Sequence, residues 1–230
     1  RMRYADPEWV GRNFARMAQD GVSRNISLTE DTSSFPAQKI LDHFVASLAA
    51  AENKGTKLSY VGASPQQCNM ARDEFFTSLR KLECMSIYMV FGFDPASRGA
   101  FRADRDHAKY QATLDAVQRV KDAGLGVYAS LLVGHDEEDE GVFETILEFT
   151  EKAGIDTAEF VILTPYPGTP LWRKLVKEDR ILTRDWSLYN DANPVFQPAQ
   201  MSPERLREGY QYLWKEFYKR NVNTRHAIQV

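Results

Sequence analysis

Cysteine is nearly absent: 230 residues contain two, Cys68 and Cys84. Two cysteines build no disulfide framework and point to a reducing, cytoplasmic setting. Their separation suits no compact zinc or cluster motif, so both read as buried small hydrophobes. Long apolar runs are missing too. None approaches the roughly 20 residues needed to span a bilayer, so no transmembrane segment is expected. Excess positive charge is also absent. With 29 Lys+Arg against 32 Asp+Glu, the net charge is −3, and the broad electrostatic footprint of a nucleic-acid binder is excluded. There is no Walker loop, no G-x-S-x-G elbow and no G-x-G-x-x-G fingerprint. The opening Arg1-Met2-Arg3-Tyr4 lacks signal-peptide character.

What is present is an ordinary apolar core and a strong rhythm. Hydrophobic residues make up 43% and include 13 Phe, 10 Tyr and 4 Trp, which excludes a disordered chain. β-rich runs stand at Val22–Leu28, Lys57–Val61, Met85–Phe91, Gly126–Val133 and Thr157–Leu163. Helical patterns alternate with them. Asp6 caps the first, with Pro7 at its first position, and Trp9, Val10, Phe14, Met17 and Ala18 form its apolar stripe before Gly21. Ile40, Leu41, Phe44, Val45 and Leu48 mark the second, and a less regular third runs over about Asn69–Leu82. Tyr110, Leu114, Val117 and Val120 mark the fourth, ended by Gly124. Val142, Phe143, Ile146, Leu147 and Phe149 mark the fifth, ended by Gly154. This is βα spacing, so the expected fold class is α/β with a parallel sheet, barrel or open. From Leu163 the rhythm breaks into a Pro-rich loop, a short helix near Leu171–Lys177 and an irregular stretch. A last helix follows, capped by Ser202-Pro203.

Parallel α/β folds place their sites at the carboxyl ends of strands. That rule selects Thr29–Thr32, Gly62–Pro65, Gly92–Pro95, Gly134–Glu137 and Thr164–Gly168. These segments are also ordinary turn chemistry, and Asp136 or Asp139 suits a helix cap equally well. The acidic run Asp136–Glu140 reads as a solvated helix start favoured by the helix dipole. His135 beside those carboxylates has no metal-ligand spacing, and no metal-binding residue is assigned. Tyr166, Trp172, Trp186 and Tyr189 would form an apolar wall, which core packing explains as well.

Several of these segments, taken together, resemble the radical S-adenosylmethionine superfamily, in its cobalamin-binding-domain-associated group. Val127–Glu137 is similar to that superfamily's fifth-strand motif G-x-I-x-G-x-x-E, with Ser130, Leu132, Gly134 and Glu137 at its four positions. Ser130 and Leu132 depart from the usual Gly and Ile. Thr164–Pro170 resembles the sixth-strand loop, and Arg180-Ile-Leu, Asp185-Trp186, Tyr189, Val195–Pro198, Met201 and Phe217-Tyr218 resemble the segments after it. Gly92-Phe93-Asp94-Pro95 stands where Gly-x-Glu-Ser is usual, so Asp94 replaces Glu. Thr29-Glu30-Asp31 stands at the acidic end of an early strand.

The resemblance implies a partial (β/α)6 TIM-like barrel over 1–170, holding strands two to six without the first, and a C-terminal helical extension over 171–230 packed on it. It implies S-adenosylmethionine (SAM) as cofactor, with Glu30 and Asp31 near the methionine ammonium, Asp94 near the ribose, and Ser130, Leu132 and Gly134 against adenine. Glu137 would steady the loop, and Ser64, Gly92 and Thr164 complete the strand ends. The superfamily's C-x-x-x-C-x-x-C loop, which holds a [4Fe–4S] cluster, is not in this sequence, so its ligands are expected upstream of Arg1. The implied activity is reductive cleavage of SAM to a 5′-deoxyadenosyl radical acting on a small organic substrate, with cobalamin-dependent methyl transfer as one form. Implied partners are an upstream cobalamin-binding domain and an external one-electron donor. A non-catalytic scaffold derived from the barrel, or a different parallel α/β ligand-binding enzyme, remains the alternative.

Overall fold

The computed structural model describes residues 5–21, 25–27, 38–52, 55–92 and 106–220. In chain order the elements are α1 (Pro7–Gln19), β1 (Asn25–Ile26), α2 (Gln38–Ala51), β2 (Lys57–Leu58), β3 (Tyr60–Gly62), α3 (Pro65–Met70), α4 (Asp73–Lys81), β4 (Ser86–Phe91), α5 (His107–Asp122), β5 (Gly126–Val133), α6 (Val142–Ala153), β6 (Thr157–Ile162), α7 (Pro170–Lys177) and α8 (Pro203–Arg220). β1 pairs with β2 in parallel, and the other strands lie in the order β3-β4-β5-β6. β3 and β4 are parallel, with Tyr60 opposite Ser86 and Gly62 opposite Tyr88. At the start of β5, Gly126 N donates to Met85 O at 2.9 Å, and just past β6, Leu163 N donates to Val133 O at 2.8 Å. Like ends meet in both cases, so these strands are parallel as well.

The second β-rich run splits where a single strand was expected. Leu58 N donates to Leu82 O, in the turn after α4, while Ser59 N donates to Ile26 O. The run therefore pairs with β1 first and reaches β4 only from Tyr60. Of the expected Val22–Leu28 strand, the pair Asn25–Ile26 is strand, and 22–24 and 28 lie outside the described residues.

The chain forms two compact units, Arg1–Met89 with Ala108–Tyr128 and Val90–His107 with Ala129–Val230. In the first, Asp6 accepts from Trp9 N at 2.9 Å and Pro7 opens α1, as capping chemistry requires. The expected apolar stripe of α1 is rotated. Trp9 and Met17 are 53% and 40% exposed, whereas Gly11 and Phe14 are buried. Gly11 sets that face: a Cβ there would stand 2.2 Å from Ala50 O of α2, so only glycine permits this helix crossing. The irregular stretch expected over Asn69–Leu82 is two helices, because Ala71 turns extended. Arg119 of α5 donates to the carbonyls of Cys68 and Asn69, at 3.1 and 2.7 Å, and to that of Ala71. Its guanidinium lies 5.4 Å from the Phe76 ring centre. Ile87 and Met89 of β4 and Val127 of β5 are fully buried, each contributing about 1.5–3 kcal/mol.

Both cysteines are buried in this unit. Burial pushes the Cys68 thiol up to about 12, only partly opposed by Arg119, and the Cys84 thiol up to about 11. Thiolate is the reactive form. Neither residue is therefore expected to alkylate in native protein at pH 7.5, while both should alkylate in denaturant. Intact-mass analysis after iodoacetamide checks this.

In the second unit, Phe91, Ile146, Phe149 and Ile162 form the core. Phe91 and Phe149 meet edge to face at 5.5 Å. α6 ends on Gly154 in the left-handed conformation, φ 63, where glycine avoids the Cβ penalty. α8 packs on α6 and β6. Phe160 of β6 meets Trp214 and Phe217 of α8 at 5.6 and 5.8 Å. No helix among the described residues is long and apolar enough to cross a membrane.

Candidate functional site

Within the second unit, the carboxyl ends of β4, β5 and β6 converge. The loop after β5 turns at Gly134, φ +105. Its first two amides point inward and are closed by Glu138, whose Oε2 accepts from Gly134 N at 2.8 Å and His135 N at 3.0 Å. Glu138 is buried, so these charge-assisted bonds are strong ones. His135, also buried, has Nε2 at 2.8 Å from Gly92 O at the end of β4. A carbonyl only accepts, so Nε2 carries the hydrogen. Gly92, φ +84, would place a Cβ 3.4 Å from Leu132 O and 3.8 Å from His135 Nε2. Ser130 and Leu132 are buried on β5, and Thr164 donates its hydroxyl to Ile162 O at 3.0 Å.

A second layer surrounds this loop. Asp136 is bound by Lys174 Nζ at 2.5 Å and by both terminal nitrogens of Arg180, Nη1 at 3.1 Å. Arg180 Nε donates to Gln197 O at 2.7 Å, and Gln200 donates to Asp136 O at 2.8 Å. The Arg180 hydrogen bond above all, then that of Lys174, hold the Asp136 carboxyl at about 2, against the opposing effect of burial. A carboxyl whose pKa is lower in the folded state stabilises fully above its unfolded value of about 4, and that contribution fades as pH falls toward 2. The stability gap between wild type and Asp136→Asn, measured by urea unfolding, should therefore be widest above pH 5 and shrink steadily toward pH 2.

The structure brings Gly92, Ser130, Leu132, Gly134 and Thr164 to neighbouring strand ends. Ser64 lies in the first unit and caps α3: its hydroxyl accepts from Gln67 N at 3.2 Å, and Gln67 Oε1 accepts from Ser64 N at 2.9 Å. Glu30, Asp31 and Asp94 lie outside the described residues. Glu137 is exposed. Its neighbour Glu138, which sequence reasoning missed, closes the loop. The acidic run expected as a solvated helix start is thus partly buried and bonded, and α6 begins later, at Val142. Asp139 Oδ1 accepts from Gly141 N at 2.9 Å. Gly134 faces protein: a Cβ there would stand 3.2 Å from Leu206 of α8. Trp172, Trp186 and Tyr189 do meet, with ring centres 5.0–6.0 Å apart, and Trp186 is 54% exposed. Tyr166 turns instead to Asp191, at 2.7 Å.

Among the described residues no three His, Cys, Asp or Glu are grouped to hold a metal ion. The two buried, protonated thiols do not fit an iron–sulfur cluster, which needs several thiolates together. Of the groups that suit SAM in chemical type, Leu132 is apolar and Ser130 carries a hydroxyl, both buried on β5, while the Thr164 hydroxyl is spent on Ile162 O and Asp136, Glu138 and Glu140 are bonded within the protein.

Residues 169–225 match a family described as a domain of unknown function (DUF4070). The chain is 26% identical over 220 residues to an uncharacterized methyltransferase of Pyrococcus horikoshii, covering 92% of this chain and 46% of that protein. It is 30% identical over 110 residues to the bacteriochlorophyllide d C-12(1)-methyltransferase of Chlorobaculum tepidum, covering 48% of this chain and 23% of the other. Among solved structures it resembles TsrM from Kitasatospora setae, a radical SAM methyltransferase with cobalamin and a [4Fe-4S] cluster bound. The TM-score is 0.55 at 16% identity, covering 89% of this chain and 41% of TsrM. The chain spans less than half the length of each of these proteins. Sequence and fold point the same way: the chain is a homologue of proteins named as methyltransferases, and its fold is similar to that of a radical SAM methyltransferase.

Proposed function

We propose that this chain is the larger part of the catalytic barrel of a radical SAM enzyme, and that SAM binds at the carboxyl ends of β4, β5 and β6. The observation that carries this reading is the loop after β5. A sequential parallel sheet ends there in a glycine turn whose buried amides are fixed by Glu138 and whose imidazole ties β5 to β4. Bound there, SAM would supply a methyl group or, after one-electron reduction, a hydrogen-abstracting fragment. Leu132 offers the purine an apolar surface. Gly92, Ser130 and Thr164 shape the strand ends, and Glu137 lies on the exposed side of the loop. Glu30 and Asp31, as acceptors for the methionine ammonium, and Asp94, as acceptor for the ribose, belong to the same proposal, as does Ser64.

The substrate is a small organic molecule, and methyl transfer is the reaction the relatives favour. Cobalamin and an external electron donor belong to the proposal without assigned residues in this chain. Cys68 and Cys84 hold no cluster, so cluster assembly belongs to other cysteines of the full-length protein. A reducing cytoplasm suits both the cluster and the two free thiols. The test is anaerobic reconstitution of the full-length protein with iron and sulfide. Roughly four irons per chain and reductant-dependent conversion of SAM to 5′-deoxyadenosine or a methylated product are expected. A protein that takes up no iron and leaves SAM intact overturns the reading.

A further inference from the structure

The described part of the stretch of unknown function, 169–220, reaches the loop after β5 from four separate places. Lys174 comes from α7, and Arg180 follows it. Gln200 precedes α8, and Arg205 with Leu206 belongs to its first turns. Lys174 and Arg180 hold the Asp136 carboxylate, and Gln200 holds its backbone carbonyl. Arg205 grips Glu140 through Nε at 3.1 Å and Nη2 at 3.0 Å. Leu206 stands 3.2 Å from where a Gly134 Cβ would be. The loop itself, Gly134–Glu140, carries five consecutive acidic residues from Asp136 on. Like charges so close repel, and an ordinary strand-to-helix turn has no need of such density. Three cations and a packed leucine draw it into one conformation, with the Gly134 and His135 amides held on Glu138 inside.

We infer that residues 169–220 act as a clamp that fixes the geometry of the loop after β5, with Arg180 as its central positioning residue. Arg180 touches no proposed ligand position. It acts through Asp136, one residue beyond the His135 that joins β5 to β4 and two beyond Gly134. Its side chain is mostly buried, and it binds Asp136, Glu178 and Gln197 O together. Arginine's fixed fork suits this multiple contact, and lysine's point charge does not reproduce it. The inference rests on the proposed SAM site for its functional consequence, while the clamp itself rests on geometry alone.

The test uses the full-length protein with three variants, Arg180→Met, Arg180→Lys and Arg220→Met. Arg220 binds Glu144 at 2.8 Å, so it anchors the far end of α8 to α6 without touching the loop. Amide hydrogen exchange is read at Gly134 and His135 without ligand, and SAM affinity is read by isothermal titration. Arg180→Met should speed exchange at both amides and weaken SAM binding, each by about tenfold, a size typical of residues that act through others. Arg180→Lys should recover part of both effects. Arg220→Met should lower the thermal midpoint and move neither. Unchanged exchange in Arg180→Met, or equal effects from Arg220→Met, overturns the clamp. Faster exchange with unchanged SAM affinity supports the clamp and overturns the SAM site instead.

Discussion

Glu138→Ala is expected to cost about 2–6 kcal/mol of unfolding free energy, since two buried amides lose their acceptor at about 1–3 kcal/mol each. The carboxylate is buried and accepts from both Gly134 N and His135 N. Alanine removes the acceptor that both buried donors share. Glu138→Gln separates the two parts of the effect. Its amide oxygen still accepts but lacks the charge, so the loss should be roughly half, in keeping with the greater strength of charge-assisted bonds. Urea denaturation of the two variants measures the difference. A loss in Glu138→Ala no larger than that of an exposed surface change, within about 0.5 kcal/mol, would mean that water replaces the carboxylate and that the loop is not built around it.

Gly209→Ala carries the other large effect. Gly209 lies in the middle of α8, where glycine is unfavourable by roughly 1 kcal/mol relative to alanine. On helix propensity alone the substitution should stabilise. The packing reverses that expectation, because a Cβ at 209 would lie 2.0 Å from Phe143 Cζ of α6. The Phe143 ring is buried, so either the ring leaves its rotamer or α8 lifts from α6. Overpacking of this kind typically costs about 1–3 kcal/mol. Shortening the opposing residue should repair it: in the Phe143→Leu background Gly209→Ala should become neutral or stabilising. A double-mutant cycle read by thermal melting gives the coupling, and additive single effects would show that the two residues do not share this space.

Much of the fold was legible in the sequence. The span Gly126–Val133 is read to the residue, because an unbroken β-rich run stands between Gly124 and the loop at Gly134. α6 and its Gly154 cap are equally plain from periodicity. The face of α1 was not legible. Trp9 and Met17 look like core residues by size, but the contact that sets the face is the missing side chain of Gly11 against α2. The break at Ala71 was hidden as well, since the carbonyls it frees are taken by Arg119, a residue far along the chain. The site was half legible. The resemblance pointed to Leu132, and rules for strand ends pointed to Gly92, Gly134 and Thr164, which the structure sets at neighbouring strand ends. They passed over Glu138, because a run of five acidic residues looks solvated until one is found under the loop. Arg180 was singled out as part of a motif, but its pairing was hidden: its partner Asp136 lies 44 residues away, and no local pattern announces a pairing at that distance. A carboxylate three or four positions past a glycine at a strand end is the local signal that would have singled out Glu138.

The carboxyl ends of β4, β5 and β6 are proposed to hold SAM. Hydrogen exchange of the anaerobic full-length protein, with and without SAM, tests this most directly. Slower exchange on SAM addition is expected in peptides covering Val90–Gly92 and Ser130–Glu138, with the peptides of α1 and α2 unchanged. Saturating SAM that leaves both strand-end peptides at their original rates would contradict it.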